Sequence, residues 1–193
     1  MPYLTSPVLT PGSLARVPQP SLPAGDALLL RPWRAGDAPA LHAAFQDPVM
    51  HQWHIRSSDS VEEAAGWIAG WQKGWEGERE AQWAVVDDAT DELLGRVALR
   101  QILLGDGVAE VAYWTVARAR GRGVAVRATT ALADWALEEI GFHRLELTHS
   151  TANEASCRVA AKAGFALEGT KRSALLHPDG WHDMHLHARV HTD

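Results

Sequence analysis

The residues best able to do chemistry lie between positions 110 and 187. Arg118-Ala-Arg-Gly121-Arg-Gly123 sets two glycines one residue apart among Arg118, Arg120 and Arg122. An apolar run, Val111–Val116, enters this loop, and a helical pattern leaves it, with Ala128, Leu132, Trp135, Ala136 and Ile140 at spacings of three and four. Glycine permits backbone torsions and close approaches that side chains block. The helix presents unpaired N–H groups and the positive end of its dipole. A strand, a glycine turn, a helix N-terminus and arginines describe a seat for a di-anion, most naturally a pyrophosphate. A bare Gly-x-Gly also serves merely to turn a chain, with arginines facing solvent. The loop is neither a Walker loop, since it ends Gly-Val-Ala, nor a dinucleotide fingerprint, since Val126 stands where the third glycine would be.

Asn153 and Ser156 are three residues apart and share one face of a first helical turn. Asn153 also reads as an ordinary N-cap. Cys157, one residue on, points about 100° away from Ser156 and reads as a core cysteine. His149 closes a strand, and an imidazole near pKa 6.5 suits a proton shuttle. His182, Asp183, His185 and His187 suggest ligands, but alternation puts Asp183, His185 and His187 in one row on one strand. A row cannot easily surround an ion, so no metal is expected.

The elements that must position these residues follow from pattern. Residues 1–25, with Pro7, Pro11, Pro18, Pro20 and Pro23, read as an extended arm, mobile or laid across the surface. Residues 26–193 read as a single domain. Ala27–Trp33 is a strand, and Asp37 caps a helix that breaks at Asp47-Pro48. Val49–Ile55 lacks a period and reads as a loop or short turn. Ser60, with Glu63 three residues on, caps a helix carrying Trp67, Trp71 and Trp75, a spacing that speaks for packing. Strands follow at 82–87, 93–101 and 110–116, then the loop and its helix, and a strand at 143–149. A short helix runs from Asn153 to Lys162, and a hairpin turns at Pro178-Asp-Gly180. This order predicts an α/β (α+β) mixed, mostly antiparallel sheet of about seven strands flanked by about four helices.

Composition sets outer bounds. The chain has 193 residues, a formal net charge of -6 and one cysteine. The charge argues against a nucleic-acid partner, and the lone cysteine against a disulfide scaffold. With no membrane-length apolar run and no signal-peptide pattern, the expected location is the cytoplasm.

Arg118-x-x-Gly121-x-Gly123 resembles the acetyl-CoA pyrophosphate loop of the GNAT superfamily of N-acetyltransferases. Asn153-x-x-Ser156-x-Arg158-x-x-x-Lys162-x-Gly164-Phe165-x-x-Glu168-Gly169 resembles a second block of that family. It is closest to the branch typified by the ribosomal-protein N-terminal acetyltransferases RimJ and RimL. The two blocks occur in family order, and the likeness runs from about residue 28 to 188. It implies the GNAT fold and acetyl-CoA as cosubstrate. The cofactor would be held by the 118–123 loop (Arg118, Ala119, Arg120, Gly121, Arg122, Gly123) with Val124, by the strand end Trp114, Thr115 and Val116, and by Asn153 and Ser156. The family's central strands splay apart to admit cofactor and substrate. The resemblance further implies Glu110 as base through water, with His149 the runner-up, and Ser156 as proton donor, since 159–163 holds no tyrosine. Trp53, His54, Trp71 and Trp181 fall in segments that wall the family's acceptor cleft. No carboxylate cluster lies there, which disfavours a polycationic antibiotic. The expected acceptor is an α-amine of a peptide or protein N-terminus; a small-molecule amine, or a non-catalytic acyl-CoA-binding role, stays open. The arm is expected to cover this cleft or reach the second subunit of a homodimer.

Overall fold

The computed structural model describes residues 4–54 and 56–192. Among the described residues, eight strands form one sheet: β1 (Leu22–Pro23), β2 (Leu28–Pro32), β3 (Ala81–Asp87), β4 (Leu93–Leu103), β5 (Val108–Thr115), β6 (Arg144–Ser150), β7 (Ala166–His177) and β8 (Gly180–Val190). Their spatial order is β1-β2-β3-β4-β5-β6-β8-β7. The strand beyond the expected seven is the two-residue β1, which the arm contributes by pairing Leu22 with Leu30. Among the same residues, five α-helices accompany the sheet: α1 (Ala38–Ala44), α2 (Pro48–Trp53), α3 (Val61–Glu76), α4 (Val124–Asp134) and α5 (Glu154–Lys162).

Helix α2 corrects the reading of residues 49–55 as a loop or turn. Asp47 is its N-cap, accepting from the Val49 amide at 3.0 Å, and Pro48 occupies the first turn, where its missing N–H costs nothing. Ile55 lies outside the described residues. Asp37 stands at the N-cap position of α1 but makes no side-chain cap bond to it, its carboxylate pairing instead with Arg31 at 2.8 Å. The other two caps form at the expected places. Ser60 Oγ accepts from the Glu63 amide at 3.1 Å, and Asn153 Oδ1 from the Ser156 amide at 3.1 Å. Helix α4 runs on as a π-helical stretch, Trp135–Ile140, and stops at Gly141 with φ 89°.

Strand alternation divides the core between the two sheet faces. On one, the β5 residue Trp114 meets Phe45 at the end of α1 (5.7 Å between ring centroids) and Trp33 just after β2 (6.3 Å), and these two rings in turn meet Trp67 and Trp71 of α3 (5.2 Å each). On the other, Tyr113 points toward α5. Trp75, Trp83 and Trp135 form a second aromatic cluster, with centroids 5.4 to 6.5 Å apart. The tryptophan stripe of α3 therefore packs, as its spacing predicts.

The N-terminal segment lies against the body. Leu9 and Leu14 are buried, Trp75 Nε1 donates to Val17 O at 3.2 Å, and Trp83 Nε1 donates to Pro20 O at 2.8 Å. The Glu78 carboxylate accepts from the amides of Gly12 (2.6 Å), Leu14 (2.7 Å) and Ala15 (3.2 Å). Burial pushes the Glu78 acid upward, but those three amides outweigh it and hold the group below the usual carboxylate range.

All neighbouring strands pair antiparallel except β5 and β6. These two run parallel and pair only at Val108–Arg144, Ala109–Leu145 and Glu110–Glu146. Beyond Glu110 they diverge: β5 stays with β4 as far as Thr115, and β6 stays with β8 as far as Ser150. The sheet thus opens into a fork whose base is Glu110.

Candidate active site

Two cavities meet at this fork. The first, of about 370 Å³, runs from the end of β5 across the glycine loop to α5. Gly121 and Gly123 line it with left-handed torsions (φ 73° and 74°), and Gly123 caps α4. A Cβ on either glycine would meet nothing within 4 Å, so what glycine provides here is torsional freedom rather than clearance. Val124, Ala125 and Val126 line the same cavity; as the first turn of α4, their amides have no intrahelical acceptor. A row of amides at a positive helix end, open to a cavity, is chemically suited to an anion.

Of the residues expected at the cofactor, Trp114, Thr115, Ala119, Arg120, Gly121, Gly123, Val124, Asn153 and Ser156 line this cavity. Three do not. Val116 is buried, with its amide on Leu94 O. Arg118 turns away, donating to Leu93 O at 2.8 Å and pairing with Glu92 at 2.8 Å. Arg122 is exposed and outside the lining. Arg120 instead ties the loop to α2 by pairing with the cap residue Asp47. Lys162 and Arg158 of α5 add the opposite basic wall; both sit in the second motif block, but only the fold shows that they face the loop.

The second cavity, of about 360 Å³, opens on the other side of the fork. Glu110 lies on its lining, accepting from Thr148 Oγ1 at 2.7 Å and from Gln101 Nε2 at 3.1 Å. Gln101 reaches it from a bulge in β4, where its own φ is 49°. Glu110 is the one carboxylate among the lining residues described, facing Arg100, Lys171 and three histidines, His54, His149 and His177. Burial pushes the His54 imidazole down to about 4, and Arg96, Arg100 and His177 add to the effect; it is neutral at neutral pH.

Trp53, His54, Tyr113, Asn153 and Ser156 line both cavities and so mark where they join. Trp53 and His54, expected in the wall of the acceptor cleft, line the second cavity as well as the first. Trp71 was expected in that wall too, but it lies against Trp33 (5.2 Å) beneath the Arg96 guanidinium (5.4 Å) and reaches neither cavity. Trp181 is 65% exposed at the hairpin tip and also lines neither. Among the described residues, none of the arm lines either cavity, so of the two expectations for it, covering the cleft or reaching a second subunit, the first is not met there.

Tyr113 is the residue that sequence reasoning missed. The resemblance points to a phenol along α5, whereas Tyr113 arrives from β5, its hydroxyl donating to Ser156 O at 3.4 Å. Burial pushes its phenol up to about 12 against the opposing hydrogen bond at Ser156, with Cys157 adding to the rise. Alternation from Glu110 places Tyr113 on the opposite face of β5, the face toward α5, and was the signal available.

His149 is buried at the end of β6. It lines the second cavity, its Nδ1 contacts Ser150 O at 2.8 Å, and its Nε2 lies 3.1 Å from His187 Nε2. His185 and Cys157 adjoin the same two rings. Cys157, half-buried, is therefore not the core residue its position suggested, and the histidine row gains partners from two other elements.

The family described as Acetyltransferase (GNAT) domain matches residues 27–166. The uncharacterized N-acetyltransferase YoaA of Bacillus subtilis (strain 168) is 25% identical over 166 residues, covering 86% of this chain and 94% of its own. The ribosomal-protein-serine acetyltransferase of Escherichia coli (strain K12) is 30% identical over 100 residues, 52% of this chain and 56% of that protein. Among solved structures, RimL, a ribosomal L7/L12 α-N-protein acetyltransferase in complex with coenzyme A, superposes with a TM-score of 0.83 at 22% identity, covering 89% of this chain and 98% of that one. Among the described residues, no helix is long and apolar enough to cross a membrane.

Proposed function

The chain belongs to the GNAT acetyltransferase domain family and is an acyl-CoA-dependent N-acetyltransferase, and we propose that it moves an acetyl group from acetyl-CoA to the α-amine of a peptide or protein N-terminus. The observation that carries this reading is the fork. One cavity offers amides and basic side chains to a pyrophosphate, the other offers one carboxylate to an amine, and they join at Tyr113, Asn153 and Ser156.

The thioester lies along the end of β5, its carbonyl toward the join. A water on Glu110 takes the proton of the incoming amine as nitrogen attacks the carbonyl carbon. The C–N bond forms, the C–S bond breaks, and the thiolate takes a proton from the Ser156 hydroxyl or the Tyr113 phenol. Both are protonated at neutral pH, as a donor must be. Donors pre-aimed at developing charge contribute most in a site shielded from water.

The acceptor assignment rests on charge. A polyamine or aminoglycoside needs several acids around it, but this cleft sets Arg100 and Lys171 beside its single carboxylate. An N-terminal α-amine has one positive charge and an adjoining chain of carbonyls that cationic side chains tolerate. Its pKa of about 7.7–8.0, against about 10.4 for lysine, leaves a weak base less to do. In this reading the arm, from residue 4 to 25 as described, is a strap on the single domain that follows it.

The test is a coenzyme A release assay over free N-terminal peptides, N-blocked lysine peptides, polyamines, amino acids and aminoglycosides. Free N-termini should turn over best. Preference for blocked lysine peptides or polycations overturns the assignment, and turnover confined to amino acids replaces it with a small-molecule acceptor. Acetyl-CoA binding without turnover of any amine would leave a non-catalytic acyl-CoA-binding role.

A further inference from the structure

Two buried imidazoles face each other across β6 and β8 with their lone pairs in conflict. His149 Nδ1 lies 2.8 Å from Ser150 O, and His187 Nδ1 lies 3.3 Å from Phe165 O. A carbonyl oxygen only accepts, so both Nδ1 atoms carry the hydrogen. In the neutral rings both Nε2 atoms are then bare, yet they stand 3.1 Å apart. Both rings are buried, His149 at 6% and His187 at 2% exposure. His185 adds a buried Nδ1 with no hydrogen-bond partner among the described residues. Cys157, from α5, completes the group, and one ligand atom from each of the four lies within 4.8 Å of the others.

We propose that His149, His185, His187 and Cys157 form a four-coordinate site for a borderline-soft divalent cation, zinc(II) in the first instance. Three imidazole nitrogens and a thiolate suit that class, and hard cations prefer oxygen. Zinc bonds of about 2.0–2.3 Å imply tetrahedral edges of about 3.3–3.6 Å. The Nε2 pair at 3.1 Å is already near that value. The widest separation must close by about 1 Å, within reach of side-chain torsions. The Nδ1–H to carbonyl bonds of His149 and His187 are the outer contacts that fix the tautomer of a ligating imidazole. On binding, the Cys157 thiol loses its proton to solvent, and the imidazoles enter neutral. Four protein ligands close the coordination sphere, so the ion clamps rather than catalyses. It joins α5 to β6 and β8 beside Ser156. It also occupies the lone pair of His149, so a loaded enzyme has no imidazole base at that position.

The experiment is a titration of the metal-stripped full-length chain with cobalt(II), followed by displacement with zinc(II). The expected result is one equivalent per chain, intense visible bands of tetrahedral cobalt and a thiolate-to-cobalt charge-transfer band, all erased by zinc. Saturating zinc should raise the unfolding midpoint by at least about 5 °C, and a chelator should reverse the rise. Cys157→Ser should remove the charge-transfer band and weaken zinc binding at least tenfold while keeping the far-ultraviolet circular dichroism of the parent. His185→Gln should weaken zinc binding by a similar factor. Absence of saturable uptake by the parent chain overturns the site, whatever the variants do. An undiminished charge-transfer band in folded Cys157→Ser overturns it equally.

Discussion

Replacing Glu110 by Gln tests the proposed base with little disturbance to the fold. The amide keeps an oxygen for Thr148 Oγ1, which donates to Glu110 at 2.7 Å, and it remains beside Gln101, now 3.1 Å away. Glu110 lines only the acceptor cavity, so acetyl-CoA affinity should stay within about twofold of the parent. Turnover should fall by about 10²–10³ at pH 7, equivalent to about 3–4 kcal/mol in the barrier. The pH dependence then identifies the amine. An α-amine of pKa about 7.8 is about one-seventh unprotonated at pH 7 and almost fully so at pH 9, so the variant should recover about sevenfold and level off. A lysine of pKa about 10.4 would keep gaining about tenfold per pH unit across that range. Single-turnover rates with a saturating N-terminal peptide, from pH 6.5 to 9.5, provide the measurement. Parent-level rates at every pH would remove Glu110 from the mechanism, and an equal loss of acetyl-CoA affinity would show that it acts through the fold.

Ser156→Ala and Tyr113→Phe should each lower turnover far more than acetyl-CoA affinity, measured by stopped-flow and calorimetry. Because the Tyr113 phenol is pushed up to about 12, it stays protonated below that value, and its deprotonation adds no falling limb to the rate profile up to pH 10. Gly121→Val with Gly123→Val forces β-branched residues into left-handed torsions at about 1–2 kcal/mol each, and acetyl-CoA binding should weaken at least tenfold. Unchanged affinity in that folded double variant would rule the loop out as the seat. Glu78→Gln should cost about 1.5–3 kcal/mol at pH 7, read by denaturant unfolding, because three amides lose a charged acceptor. The folded acid is depressed, so its stabilisation is full above the unfolded carboxylate pKa and disappears as pH falls through the folded one. Parent and variant should therefore converge once the pH has fallen through the folded pKa, and a difference that persists there would point to packing instead.

What was legible in the sequence was local. The glycine loop, both side-chain caps and the closing hairpin depend on residues within a few positions of each other, and each forms where spacing placed it. Asp47-Pro48 was equally local but read in the wrong direction: the pair that ends one helix also begins the next, because Asp caps and Pro tolerates the first turn. The loop arginines were indistinguishable by spacing, and tertiary partners separated them, Glu92 drawing Arg118 away and Asp47 drawing Arg120 in. Likewise the α3 stripe shows which face is apolar but not that Trp71 stops at Trp33, short of the cleft. The Cys157 and histidine group draws on β6, β8 and α5, and no single-element period can bring those together.

The central claim is tested most directly by the position of the acetyl group on a peptide with both a free N-terminus and an internal lysine. The full-length chain is incubated with that peptide and acetyl-CoA, and fragment masses locate the modification. The fork, with its lone Glu110 carboxylate, predicts a single acetyl group on the α-nitrogen and none on lysine. Acetyl on the lysine, or an unmodified peptide after many equivalents of time and enzyme, would contradict it.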